Sequence, residues 1–184
     1  MEEPIVDIET ALGRFAVAVH AGRAPTSAAT FLAYVRGGHL VGSSVFRILN
    51  RINQTPHATR PETIQWGWRP KDAGRLPADP RQAQPFPPIA LETTSATGLR
   101  HRRGSMSMAR RGGVVMGTEY FICLGDEPEL DFGGSRNPDR LGFGVFAQVI
   151  EGLEVIERIH ATGEAEEYVR HPVAVLSVRE RPRA

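Results

Sequence analysis

Lysine is all but missing from this chain of 184 residues, and cysteine occurs once. A lone thiol, Cys123, cannot close an internal disulfide and cannot build a thiolate zinc cage. Net charge is nearly absent as well. Twenty-two basic residues against 21 acidic ones leave +1, which argues against a general nucleic-acid binder or a polybasic membrane binder. No apolar run approaches the ~20 residues of a membrane-spanning helix; near the N-terminus the longest is Phe15-Ala16-Val17-Ala18-Val19. Met1 is followed by Glu2 and Glu3, where a secretory leader carries positive charge and then an apolar stretch. A cytoplasmic location is therefore expected, or a periplasmic one if a leader has been removed. Lys71 is the single lysine among arginines, which reads as genome composition rather than chemistry.

The common catalytic signatures are missing too. His20, His39, His57, His101, His160 and His171 show no HxH, HxxxH or HExxH spacing, so no metal site is expected. There is no GxSxG elbow and no Walker loop, and Gly112, Gly113 and Gly117 do not make GxGxxG. Cys123 lies in an apolar strand pattern and reads as a small packed hydrophobe rather than a nucleophile. Arg100-His101-Arg102-Arg103 and Arg110-Arg111 read as solvated turns, Glu129 and Asp131 as ordinary turn carboxylates.

What is present is a soluble composition, 41% hydrophobic and 23% charged, long enough to bury a core without staples. One domain over 1–184 is expected, with no internal repeat. Residues 14–20 alternate as a strand. Ala24-Pro25-Thr26-Ser27 starts a helix, with proline in the first turn and a hydroxyl to cap free amides. Ala28, Phe31, Leu32 and Val35 then fall at i, i+3, i+4 and i+7, and Gly37-Gly38 ends it. Residues 45–50 form a strand with Phe46 and Ile48 on one face and Val45, Arg47 and Leu49 on the other. In 63–68, Ile64, Trp66 and Trp68 oppose Thr63, Gln65 and Gly67. Residues 69–88 hold six prolines and read as a loop insertion. Short strands follow at 89–92, 105–109, 120–124 and 143–149, joined by Gly112-Gly113 and Gly133-Gly134. Leu153, Ile156 and Ile159 mark a second helix after Gly152, and 173–178 reads as a last strand, apolar on both faces. Seven or eight short strands with two helices mean a sandwich or a barrel; periodicity does not choose between them.

Three blocks, in order, carry a resemblance. Ala24 to Leu32, running on to Gly42-Ser43-Ser44-Val45-Phe46-Arg47, resembles the opening of a cyclophilin, the peptidyl-prolyl cis-trans isomerases whose pattern is APxTVxNF followed by Phe-His-Arg or Phe-Phe-Arg. Gly104-Ser105-Met106-Ser107-Met108-Ala109-Arg110 is similar to the family's G-x-x-SMA strand and continues to Gly117-Thr118-Glu119-Tyr120-Phe121-Ile122, similar to GSQFFI. Phe146 to Ile156 is similar to FGxVxxGxxVV. Residues 127–142 resemble a bacterial branch. Together the blocks span roughly residues 4 to 178.

The resemblance implies a mainly β fold, a closed eight-stranded antiparallel barrel capped by two short helices. Its site would lie on the outer wall. Arg47, Gln65 and Phe121 would be catalytic; Ala109, Arg110, Leu130, Phe143 and Glu119 would bind substrate. The implied partners are proline-containing peptides or unfolded proteins, taken by a monomer without cofactor, metal, nucleic acid or membrane. The sequence departs from the family in places. Glu62-Thr63 occupies the ground of a Phe-Met pair, Glu119 replaces a glutamine, Arg110 an asparagine, and Glu129 a groove aromatic, while the groove histidine has no counterpart. A binding module with the same barrel and little or no turnover is the alternative reading.

Overall fold

The computed structural model describes residues 2–54, 59–68 and 85–182. Most of the expected insertion, 69–84, lies outside the described residues, as does His57. Strand β1 (Ile5–Thr10) turns directly into β2 (Gly13–Val19), with Ile5 opposite Ala18 and Thr10 opposite Gly13. β1 is an element the sequence reading missed, although Val6, Ile8 and Thr10 are buried in strict alternation. Helix α1 (Pro25–Arg36), β3 (Ser44–Leu49), β4 (Thr63–Gly67), the two-residue β5 (Ile89–Ala90) and the single-turn α2 (Thr94–Thr97) follow. Then come β6 (Ser105–Arg111), β7 (Val114–Cys123), β8 (Gly144–Glu151), α3 (Leu153–His160) and β9 (Tyr168–Glu180).

The strands are ordered β4-β3-β9-β1-β2-β8-β6-β7, and β4 also pairs with β7. That last pairing closes an antiparallel barrel of eight strands, and β5 adds a short rung to β7. Closure leaves no long edge for another chain to pair with. An eight-stranded barrel is just wide enough for side chains to fill. Trp66, Tyr120, Phe146 and Ile8 fill it together with Met106.

α1 caps one opening. Its Ala28, Phe31, Leu32 and Val35 are buried at the expected spacing. Phe31 stands edge-on to Tyr120 at 5.1 Å and to Trp66 at 6.5 Å. α3 places Val155, Ile156 and Ile159 against the barrel. Its start requires Gly152, whose φ is +76° and where an added Cβ would sit 2.4 Å from the Arg14 carbonyl oxygen.

Three details correct the sequence reading. No hydroxyl caps α1; instead the Thr26 and Ser27 amides donate to the Glu92 carboxylate at 3.1 and 2.7 Å. A remote anion satisfies the free amides and the helix dipole together. In β3 both Val45 and Phe46 are buried, but Val45 rather than Phe46 joins the main cluster inside the barrel, because the ladder to β4 skips a residue between Val45 and Arg47. Phe46 is the bulged residue and stacks on Tyr168 at 6.4 Å. β9 is longer than expected and buries one face only. Val169, Val173, Val175 and Val178 are inside while Leu176 is half exposed, at a bulge where the pairing steps from Ser177 to Val175.

Candidate functional site

The β3 bulge decides which way Arg47 points. Beyond it, Arg47 lies opposite Gln65, Gln65 opposite Phe121, and Phe121 opposite Ser107, one row across β3, β4, β7 and β6. Alternation sends this row outward. Ile48, Ile64, Tyr120 and Ile122, the neighbours along each strand, belong to the interior cluster. Phe121 instead joins a separate apolar cluster on the outer wall with Cys123, Leu130 and Phe143.

A hollow of about 230 Å³ opens over this row. Phe121, Leu130 and Phe143 give it an apolar floor, with Phe121 and Phe143 edge to face at 5.1 Å and 83°. Leu130 and Phe143 meet because the chain returns tightly between them. The Phe143 amide donates to the Leu130 carbonyl at 2.8 Å, and Gly142, φ +66°, lies where a Cβ would be 2.4 Å from the Asp131 carbonyl carbon. Ala109 and Arg110 border the β6 side. The Arg110 guanidinium lies over the Phe143 ring at 5.3 Å and is held bidentately by Asp139 at 2.8 and 2.7 Å. Arg47, Gln65 and Glu119 stand on the opposite wall. All eight residues singled out in the sequence therefore border one hollow.

The polar wall is a chain of hydrogen bonds. Arg47 Nη1 donates to Gln65 Oε1 at 3.1 Å, and Gln65 Nε2 donates to Glu119 Oε2 at 2.9 Å. On its other side Arg47 donates through Nε and Nη2 to Glu167 Oε2 at 3.0 and 2.6 Å. Tyr168 adds an aromatic face 5.5 Å from the Arg47 guanidinium carbon. The Arg47 side chain keeps 24% of its surface exposed and lines the hollow, with Glu167 holding it from behind the lining residues.

A sequence profile described as cyclophilin type peptidyl-prolyl cis-trans isomerase/CLD matches residues 5–180. The chain belongs to the cyclophilin-type peptidyl-prolyl cis-trans isomerase family. Peptidyl-prolyl cis-trans isomerase cyp18 of Streptomyces antibioticus is 30% identical over 155 residues, covering 84% of this chain and 81% of that one. Peptidyl-prolyl cis-trans isomerase B of Escherichia coli K12 is 26% identical over 164 residues, 88% of each. Among solved structures, a Cryptosporidium parvum cyclophilin superposes with a TM-score of 0.73 at 17% identity, covering 99% of both chains. That likeness shows a common fold.

Three residues of this cyclophilin's site were not legible beforehand. Glu167 lies in the bend before β9, fixed by the Ile48 amide donating to its carbonyl at 2.8 Å. Only the barrel brings it to Arg47, and no local pattern announces it. Arg136 also lines the hollow; it sits in a stretch whose composition signals turns alone. Glu129, given the place of a groove aromatic, turns instead to Ser135, whose backbone and hydroxyl donate to it at 2.9 and 2.6 Å. These bonds hold its carboxyl below the usual range.

The third missed residue, after Glu167 and Arg136, is His101, which a run of arginines disguised as surface. It is 2% exposed and stacks on Phe121 at 5.9 Å and 7°. Asp131 faces its Nδ1 at 2.7 Å and Ser107 Oγ its Nε2 at 2.9 Å. Burial pushes the ring's pKa down despite the upward pull of Asp131. The neutral ring then donates through Nδ1 and accepts the Ser107 hydroxyl. Burial alone would raise the Asp131 carboxyl, but hydrogen bonds from the His101 ring and backbone hold it below the usual range. Ser107 is fully buried beneath Phe121, so this serine–histidine–aspartate arrangement supports the floor and offers no open nucleophile. Among the described residues no group of three or more His, Cys, Asp or Glu side chains is placed to hold a metal ion.

Proposed function

We propose that this chain accelerates rotation about X–Pro bonds in peptides and folding proteins by stabilising the twisted amide with Arg47. Rotation of an amide faces a barrier of about 18–20 kcal/mol, set by resonance between nitrogen and carbonyl. No bond is broken, so neither a nucleophile nor a metal is needed. Catalysis requires only that the twisted form be held better than either planar isomer. Twisting returns the lone pair to the prolyl nitrogen, and a fixed hydrogen-bond donor beside it opposes amide resonance. A reduction of about 7 kcal/mol corresponds to roughly 10⁵-fold in rate.

The observation that carries this reading is the way Arg47 is held at the edge of a hollow with an apolar floor. Three of its five N–H donors engage Glu167 and Gln65. The remaining two have no partner among the described residues and belong to a guanidinium that cannot swing away. The proline ring would rest on Phe121, Leu130 and Phe143. Gln65, itself held by Glu119, would take the moving carbonyl through its amide. The Ala109 and Arg110 backbone would bind the extended residues before proline, a main-chain mode that tolerates many sequences.

The test is Arg47→Ala, read by NMR exchange spectroscopy on a short X–Pro peptide. The wild type should accelerate cis–trans exchange and the folded variant should fall by at least about 100-fold. Exchange unchanged by the substitution would remove Arg47 from the mechanism. A wild type that binds the peptide without accelerating it would leave a binding module.

A further inference from the structure

We infer that Arg136 makes this site prefer an acidic residue directly after the proline, an inference that rests on the isomerase reading above. Arg136 lies outside the three sequence blocks that carry the family resemblance, in the 127–142 stretch that resembles a bacterial branch. Its side chain is half-buried in the wall of the hollow. The backbone is fixed by its amide donating to the Glu129 carbonyl at 3.2 Å, and the guanidinium by Nη1 donating to the Thr59 carbonyl at 3.0 Å. No carboxylate among the described residues forms an ion pair with it. Burial and then the nearby charge of Arg47 hold its pKa below the usual guanidinium value, with Glu167 opposing them.

The carboxylates at this end are already engaged. Arg47 and Arg136 contribute two cations; Glu167, already hydrogen-bonded twice to Arg47, is the carboxylate whose charge reaches Arg136, while Glu119 stands beyond Gln65 and is bonded to it. At the β6 end Arg110 is matched by Asp139. Arg136, near Arg47 on the β3 side, is therefore a cation of this hollow that no carboxylate among the described residues pairs directly.

Direction along the peptide follows from the walls. Residues before the proline pair with Ala109 and Arg110 on β6, and the ring sits over Phe121. The chain then leaves past Arg47 on β3, where Arg136 waits. A partly buried arginine with free donors matches a carboxylate in shape as well as charge. A lysine at the same substrate position would meet like charge.

The experiment uses the full chain and C-terminally amidated peptides Ala-Ala-Pro-Xaa with Xaa aspartate, asparagine or lysine, read by NMR exchange spectroscopy. The aspartate peptide should exceed the lysine peptide in kcat/KM by roughly fivefold at low salt. The gap should narrow at about 1 M salt, where charges screen over ~3 Å. Arg136→Glu should reverse the order and Arg136→Lys should keep it, a pattern that a merely structural role does not produce. Equal rates for the three peptides, or an unreversed order in folded Arg136→Glu, would overturn the preference while leaving the isomerase intact. No acceleration of any peptide would overturn the isomerase reading itself.

Discussion

One carboxylate oxygen of Glu167 accepts two hydrogen bonds from Arg47, at 2.6 Å from Nη2 and 3.0 Å from Nε, across 120 residues of sequence. The pair acts on the proposed catalytic group in two opposed ways. It fixes the plane and direction of the guanidinium, which favours catalysis. It also lends negative charge to the donor, which weakens that donor toward a prolyl nitrogen. Orientation should dominate, because Arg47 is partly exposed and long side chains lose much freedom when held. Glu167→Ala should lower kcat by about tenfold with little change in KM. Glu167→Gln, which keeps one acceptor, should fall between. A kcat that rises in both variants would show that charge withdrawal, not positioning, is the larger effect.

The socket makes a different prediction. Phe143 contributes a half-buried ring that meets Phe121 edge-on and carries the Arg110 guanidinium on its face. Phe143→Ala removes apolar area that both planar isomers and the twisted form touch alike. Uniform binding of this kind appears in KM rather than kcat. We expect KM to rise about tenfold, which corresponds to some 1.4 kcal/mol of lost contact, with kcat within about twofold. Steady-state measurement on one X–Pro peptide separates the two. A collapse of kcat at constant KM would mean that the ring positions Arg110 and the β6 backbone instead.

Much of this arrangement could be read from the sequence, and the unread parts share a cause. Alternation predicted that Gln65 and Phe121 oppose Ile64, Trp66, Tyr120 and Ile122, and the barrel keeps them so. Arg47 also faces outward as expected, but Val45 does not share its face. The bulge at Phe46 resets the phase between them, and a bulge leaves no mark on hydrophobic periodicity. β1 escaped notice because Asp7 and Glu9 dilute a short apolar pattern, although Val6 and Ile8 are buried. Glu167, Arg136 and His101 escaped for another reason. Each acts through partners distant in sequence, and charged residues in turns look alike until closure of the barrel sorts them.

His101 sets a pH dependence whose sign is fixed. Its folded-state pKa lies below the ordinary histidine value because burial disfavours the cation. As pH falls below about 6.5, the unfolded chain takes up the proton before the folded chain does. This contribution to stability is therefore complete above that value and declines with acidification toward the folded-state pKa. Asp131, held below its ordinary 3.8, acts in the same direction at lower pH. The unfolding midpoint should drop between pH 7 and 5, and His101→Asn should flatten part of that drop. The variant should also lose about 1–3 kcal/mol at neutral pH, since Asp131 or Ser107 is left without a partner. Thermal unfolding followed at several pH values checks this, and parallel curves for the two proteins would refute it.

Glu92 offers a stability change separated from the site. Its carboxylate receives the first free amides of α1, and it lies outside the hollow. Glu92→Ala should cost about 1 kcal/mol in urea unfolding, the usual worth of a helix cap. Exchange kinetics on a peptide should be unaltered. A larger loss, with reduced activity, would show that the α1 cap and the Arg47 wall are coupled through the barrel.

Cys123 can report on all of these variants without a reporter residue being introduced. It is the only cysteine in the chain, fully buried near the end of β7. Burial pushes its thiol pKa well up, and the Ser105 hydrogen bond offsets this only in part. Thiolate is the form that alkylates, so the folded protein should react far more slowly than an unfolded one. The strand that carries Cys123 is clamped between β4 and β6, and alkylation requires those ladders to open. Cys123 also packs with Phe121 and Leu130 directly under the hollow. A proline peptide bound above should slow labelling further by stabilising the closed form. Iodoacetamide modification followed by mass spectrometry, with and without peptide, gives both rates. Native-state labelling as fast as that of unfolded chain would contradict the closed barrel, whereas labelling indifferent to peptide would place the ligand away from this floor.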